Sequence, residues 1–189
     1  MTSNAWGLAV VRAWQSIIRI VDLFEVIERR RSVRAFIPKA VEAEKVTQVL
    51  AAANAAPSAG NLQAYEIFQF TLADDREALA RAALNQFFIA RAPVVLVFCA
   101  NPARSAAHYR ERGARLYAVQ DATIACAFAM LAAAALGLGT VWVGAFDDAM
   151  VQRVLGRHNL MPVAILPIGY PAETPEPTSR RSLDDLVHR

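Results

Sequence analysis

The amino-acid sequence predicts a single α+β domain. Several segments carry apolar residues at helical spacing, and short, wholly apolar runs of strand length lie between them. No internal repeat or low-complexity linker divides the 189 residues. That length suits one domain with a sizeable core. The hydrophobic share is 56%, high for a lone domain, so part of the apolar surface is expected to be covered at a subunit interface.

Along residues 1–21, Val10, Val11, Trp14, Ile17, Ile18 and Val21 recur at helical spacing with Arg12, Gln15 and Arg19 opposite. This reads as an amphipathic extension of uncertain role: a helix packed on the domain, a membrane-surface or targeting helix, or residues ahead of the true start. The domain proper is expected over 22–189. Asp22 to Arg31 reads as a helix with Leu23, Val26 and Ile27 on one face and a basic end that suits the helix dipole. Ala43 to Ala56 is a second helix with a stripe of Val46, Val49, Leu50 and Ala53, closed by Pro57. Tyr65 to Leu72 reads as a strand, Asp74 to Leu84 as a surface helix, and Gln86 to Arg91 as a further turn. Pro93 to Ala100 is continuously apolar, the mark of a strand buried on both faces.

Asn101 to Gly113 is polar and is expected to be irregular, a flexible lid. Leu116 to Leu136 reads as a long central helix, apolar nearly all round. Val141 to Val143 is expected as a short strand, Asp147 to Leu155 as a helix capped by Asp147, and Pro162 to Tyr170 as another apolar strand. The tail turns extended at Pro171, Pro175 and Pro177, then ends in a short helix from Ser182.

Composition narrows the function. The formal charge is only +3, and the one dense basic cluster is Arg29 to Arg34, too little for the basic face of a nucleic-acid binder. Cys99 and Cys126 sit in apolar runs and are expected to be reduced and buried, which fits a cytoplasmic setting. The three histidines are scattered and no Cys-x-x-Cys exists, so no metal site is expected. Residues 122–146 lack charge over a bilayer-spanning length. Gly137 and Gly139 interrupt them and Ala dominates their first half, so a buried helix and strand are expected there, with no membrane span.

Three stretches carry chemistry. Arg30, Arg31, Ser32 and Arg34 cluster planar guanidinium forks around a hydroxyl, which suits phosphate oxygens. Pro57-Ser58-Ala59-Gly60-Asn61-Leu62-Gln63 offers side-chain amides that both donate and accept, which suits the alternating polar edge of a flavin ring. Gly137-Leu138-Gly139-Thr140-Val141-Trp142-Val143-Gly144-Ala145-Phe146 stops a helix and enters a strand; Gly144 permits a close backbone approach. Its glycine spacing is not that of a dinucleotide fingerprint.

In this order, Arg-Arg-Ser-Val-Arg-x-Phe, Pro-Ser-x-x-Asn-x-Gln and Gly-Leu-Gly-Thr-x-Trp-x-Gly-Ala-Phe resemble the nitroreductase family of flavoenzymes, and the likeness extends from about residue 22 to the carboxyl end. The resemblance implies a three-layer α+β sandwich: a central, mostly antiparallel sheet flanked by helices, within an intertwined homodimer that binds flavin mononucleotide (FMN) between its subunits. It assigns Arg30, Ser32 and Arg34, with Arg31 less directly, to the phosphate and ribityl end. It places Pro57, Ser58, Asn61 and Gln63 against the ring, usually of the opposite subunit's cofactor. Gly144 and Ala145 become candidates for a backbone N–H at flavin N5, and Arg180 of Arg180-Arg181-Ser182-Leu183 for a second phosphate ligand. Where the family commonly continues with Pro and Trp after the Gln, Ala64 and Tyr65 follow here, which alters the wall facing the substrate.

The chemistry implied is hydride transfer from transiently bound NAD(P)H to the flavin, and then to a small electron-poor acceptor such as a nitroaromatic or quinone. No side-chain acid or base is named for it. Tyr65, Phe87, Phe88 and Tyr109 are candidates for facing the substrate, with core packing as the alternative. Reductive dehalogenation, flavin fragmentation, azoline oxidation and non-catalytic flavin binding stay open, as does a basic interaction module built on Arg29 to Arg34.

Overall fold

The computed structural model describes residues 22–189; the amphipathic extension expected over 1–21 lies outside them. Four antiparallel strands form one sheet in the order β1-β2-β4-β3: β1 (Tyr65–Phe70), β2 (Val94–Ala100), β3 (Gly139–Thr140) and β4 (Met161–Gly169). β2 is buried at every position, as its unbroken apolar run predicts. Val94, Leu96, Phe98 and Ala100 enter one hydrophobic cluster, while Val95, Val97 and Cys99 enter another on the opposite face.

Each cluster is closed by a helical layer, giving the three-layer sandwich. On the first face lie α2 (Ala43–Asn54) and the long α6 (Ala118–Ala135). On the second lie α3 (Ala73–Ala82), the single turn α4 (Phe88–Arg91) and α7 (Asp148–Leu155). Full burial of a Leu, Ile or Phe contributes about 1.5–3 kcal/mol, so these two clusters outweigh any surface ion pair in holding the layers together. Cys99 and Cys126 are free and belong to different clusters, with the sheet between them.

The cap expected at Asp147 forms, and Asp22 and Ser182 cap their helices as well. Asp22 accepts from the backbone N–H of Phe24 ahead of α1 (Leu23–Arg29), Asp147 from that of Met150, and Ser182 from that of Asp185 at α8 (Leu183–Leu186). Gly137, at φ 75°, ends α6 while the Leu138 N–H returns to Ala133 O.

Three expectations are corrected. Asn101 to Gly113 is not an irregular lid. It forms α5 (Pro102–Arg112), capped by the Asn101 side chain and started by Pro102, and passes through a π-helical turn (Gly113–Tyr117) into α6. Its polarity reflects a solvent-facing helix surface. Arg110 marks a kink with φ 51° and ψ −139°. The strand expected at Val141 to Val143 lies earlier, at Gly139–Thr140; Val143 keeps only an isolated bridge to Ile165. The first helix ends at Arg29, because Arg30 turns extended and Ser32 pairs with Thr140. Within the continuous helical stretch 102–135 the apolar part is α6, which packs against the sheet.

Candidate functional site

The arginine motif is a strand graft. Ser32 bridges Thr140 in parallel, and the Val33 N–H donates to Thr140 O at 2.9 Å. A Cβ on Gly139 would lie 2.9 Å from Val33 Cγ1, so this approach requires glycine. Farther along, Phe36 bridges Pro171 and the Ile37 N–H donates to Tyr170 O. Alternation turns Val33 into the core between exposed Ser32 and Arg34; Phe36, where the chain bridges Pro171, is buried as well.

The exposed side forms a cavity of about 420 Å³, lined by Arg30, Arg31, Ser32, Arg34 and, from the tail, Arg180, with Glu28 and Glu176 at its walls. Four guanidinium groups against two carboxylates leave it cationic. None of these arginines is ion-paired among the described residues. Their forks differ in freedom. Arg31 donates back to Glu28 O and Arg30 O, and Arg180 donates to Thr178 Oγ1 at 2.6 Å. The Arg34 guanidinium lies 5.8 Å over the Phe88 ring.

The Pro57 to Gln63 loop is a separate construction. Gly60, Asn61 and Gln63 all adopt left-handed backbone, at φ 56°, 55° and 44°. For Asn61 and Gln63 that conformation costs free energy and must be held by contacts. Ser58 Oγ accepts from Gln63 N at 3.0 Å and from Gln63 Nε2 at 3.2 Å, while Nε2 also reaches Asn61 Oδ1 at 2.5 Å. Arg104 of α5 donates to Leu62 O at 2.5 Å, and Tyr109 covers Gly60. α5 therefore braces the loop instead of opening over it.

Sequence reasoning missed Asp121. It is 2% exposed, and it accepts from Ala59 N at 2.9 Å and Ala64 N at 3.2 Å, pinning both ends of the loop to α6. A signal was available: Asp121 is the one charged residue in 116–136, and a buried carboxylate needs donors. Tyr65 is core, with its hydroxyl donating to Ala53 O at 3.2 Å. Burial, and after it the charge of Asp121, pushes that phenol above its ordinary range.

Gly144 and Ala145 lie exposed beyond β3, and among the described residues neither backbone N–H is taken by a hydrogen bond. Gln86 Nε2 donates to Ala145 O at 3.0 Å, which fixes the segment. A Cβ on Gly144 would lie 3.1 Å from Trp142 Nε1, so the site stays open by having none. Of the predicted residues, Arg30, Arg31, Ser32, Arg34 and Arg180 come together. Pro57 and Ser58 line a different cavity of about 540 Å³ against α6, and Asn61, Gln63, Gly144 and Ala145 border neither.

The family model described as Nitroreductase family matches residues 27–88 and 66–170, most of the chain. The chain belongs to the nitroreductase family. Among its relatives is a Thermus thermophilus NADH dehydrogenase, 30% identical, with the match covering 92% of this chain and 98% of that protein. A Vibrio harveyi NADPH-flavin oxidoreductase is also 30% identical, over 88% of this chain and 73% of its own length. The solved structure of the Vibrio harveyi NADPH:FMN oxidoreductase complexed with NAD+ superposes with a TM-score of 0.81 at 29% identity, covering 88% of this chain and 76% of that one. The nitroreductase fold thus confirms the α+β sandwich expected from the motifs.

Proposed function

We propose that this chain is an FMN-dependent NAD(P)H oxidoreductase whose domain spans residues 22–189 and acts as a cytoplasmic homodimer. The observation that carries the reading is the cationic cavity where Arg30, Ser32 and Arg34 meet Arg180 across the whole length of the domain. A phosphate monoester carries about −1.5 to −2 charges near neutral pH, and the donor set matches it: guanidinium forks, one hydroxyl and no lysine. The residues fit the cofactor on chemical grounds. The FMN- and NADPH-linked names of the relatives support the same cofactor and donor here.

Bound FMN would supply two-electron chemistry, accepting hydride from NAD(P)H and delivering it to a small electron-poor acceptor. The chain's own part is to bind and orient. Arg30, Arg34 and Arg180 hold the phosphate, with Arg31 shaping the backbone beneath them. Asn61 and Gln63 present amides to the polar ring edge, held by Ser58 and Pro57. The unused N–H groups of Gly144 and Ala145 are available to a ring nitrogen, where a donor stabilises developing negative charge.

The separation of the Arg cavity from the Pro57 to Gln63 loop within one chain supports the second copy as the source of the ring contacts. So does α6, whose exposed positions Gln120, Thr123, Ala127, Phe128 and Ala135 carry no charge.

The test is an absorbance spectrum of the purified protein, repeated anaerobically with NADH and with NADPH. A yellow protein that bleaches and recovers its colour with a nitroaromatic or quinone is expected. A flavin that binds but never bleaches points to storage or sensing, and failure to bind added FMN overturns the reading.

A further inference from the structure

We infer that Glu173 is a positioning residue for the phosphate cavity, setting the backbone of Arg34 so that its guanidinium faces the phosphate; this rests on the FMN reading above. Glu173 Oε1 accepts from the Arg34 N–H at 2.6 Å and the Ala35 N–H at 3.0 Å, across 139 residues of sequence. One residue earlier, the Ala172 N–H donates to Ala35 O at 2.9 Å. The tail therefore takes three backbone polar groups here: Arg34 N, Ala35 N and Ala35 O. Immediately beyond Glu173 it supplies the cavity wall, from Pro175 to Arg180.

The choice of partner is informative. A carboxylate that shares a cavity lining with Arg30 and Arg31 could pair with either of them. Glu173 pairs with none among the described residues and spends its charge on two successive N–H groups. Converging N–H pairs are anion-binding geometry, and charge-assisted bonds of this kind are the stronger ones. Filling that pair with the chain's own carboxylate leaves the Arg34 fork for an external anion. Two bonds to one oxygen also fix the dihedrals of Arg34, which decide where its side chain points. Glu173 is exposed and fills no core position, so its removal is expected to act locally.

The experiment compares dissociation constants for FMN and riboflavin, read by flavin fluorescence, in the wild-type protein, Glu173→Ala and Glu173→Gln. Riboflavin lacks the phosphate. Loss of positioning in Glu173→Ala should weaken FMN about tenfold, the scale of one hydrogen-bonded contact, and leave riboflavin unchanged within about twofold. Glu173→Gln keeps an acceptor oxygen and should recover most of the FMN affinity. Equal losses for both flavins would mean a general structural role and overturn the inference, as would unaltered FMN binding. Tighter FMN binding in Glu173→Ala would overturn it too, because the carboxylate would then act only as a repelling charge. Failure of the wild-type protein to prefer FMN over riboflavin removes the phosphate site itself, a result separable from any behaviour of the variants.

Discussion

The Asp121 carboxylate accepts the Ala59 N–H at 2.9 Å with one oxygen, and the other oxygen reaches Ala64 N at 3.2 Å. One buried side chain of the central helix thus fixes the two ends of the amide-bearing loop. In Asp121→Ala two donors lose their acceptor at about 1–3 kcal/mol each. The gain in helix propensity is only about 0.7 kcal/mol at most. A net loss of about 2–4 kcal/mol in denaturant unfolding is expected, with Asp121→Asn intermediate because its amide oxygen still serves one N–H. Hydrogen exchange across residues 58–64 should quicken in both variants. An unchanged unfolding midpoint in Asp121→Ala would show that the loop holds its shape without the carboxylate.

Ser58 tests the loop from within. Its hydroxyl accepts from both the backbone N–H and the side-chain amide of Gln63, and Gln63 sits at a costly φ of 44°. Ser58→Ala should lower flavin affinity about tenfold with less than about 1.5 kcal/mol of lost stability. If the loop faces the ring, FMN and riboflavin should weaken together. That pattern is the opposite of the one expected for Glu173, so a titration with both flavins separates the two ends of the site.

What was legible in the sequence follows from which interactions are local. The continuous apolar run at Val94 to Ala100 predicted a doubly covered strand, and Asp22, Asp147 and Ser182 marked helix starts, because caps act within three residues. Arg30, Ser32 and Arg34 were readable as guanidinium forks around a hydroxyl, but their extended backbone was not, since Arg30 and Arg31 read as the end of a helix. Glu173 stood out only as the end of Gly169-Tyr170-Pro171-Ala172-Glu173, which resembles the family's closing segment; its role was not readable, because its partners lie 138 and 139 residues away. The segment Asn101 to Gly113 misled for another reason. Its arginines and His108 resemble a loop by polarity, yet Asn101 and Pro102 together are a helix start, and the side buried at Ser105 faces the domain.

Gly139 and Val33 set how closely the arginine strand approaches the sheet. Gly139→Ala would place a Cβ 2.9 Å from Val33 Cγ1 and 3.0 Å from its Cβ, contacts that force the strand to shift. Overpacking of this kind costs about 1–3 kcal/mol, and FMN affinity should fall with it, since Ser32 and Arg34 ride on the same strand. Trimming the neighbour in Gly139→Ala/Val33→Ala should restore part of both. A double-mutant cycle on thermal unfolding reads the coupling; strictly additive losses would place the clash elsewhere.

The two thiols give the pH dependence a defined direction. Burial, reinforced by the charge of Glu66, pushes Cys99 up to about 12 from an ordinary 9.0, and burial pushes Cys126 higher still. Above pH 9 the unfolded chain releases these protons while the folded chain keeps them. The folded state then binds more protons, so stability falls as pH rises. The contribution is fully present below about pH 9 and is lost as pH climbs toward 12, at up to about 1.4 kcal/mol per pH unit for each thiol. Urea unfolding at pH 8 and pH 10 should show the decline. Cys99→Ala/Cys126→Ala should be less stable at pH 8 through lost packing, yet fall less steeply toward pH 10. Both thiols should also resist alkylation at pH 8 until the protein unfolds. Rapid labelling of the native protein would mean that the clusters around β2 and α6 open far more readily than their burial implies.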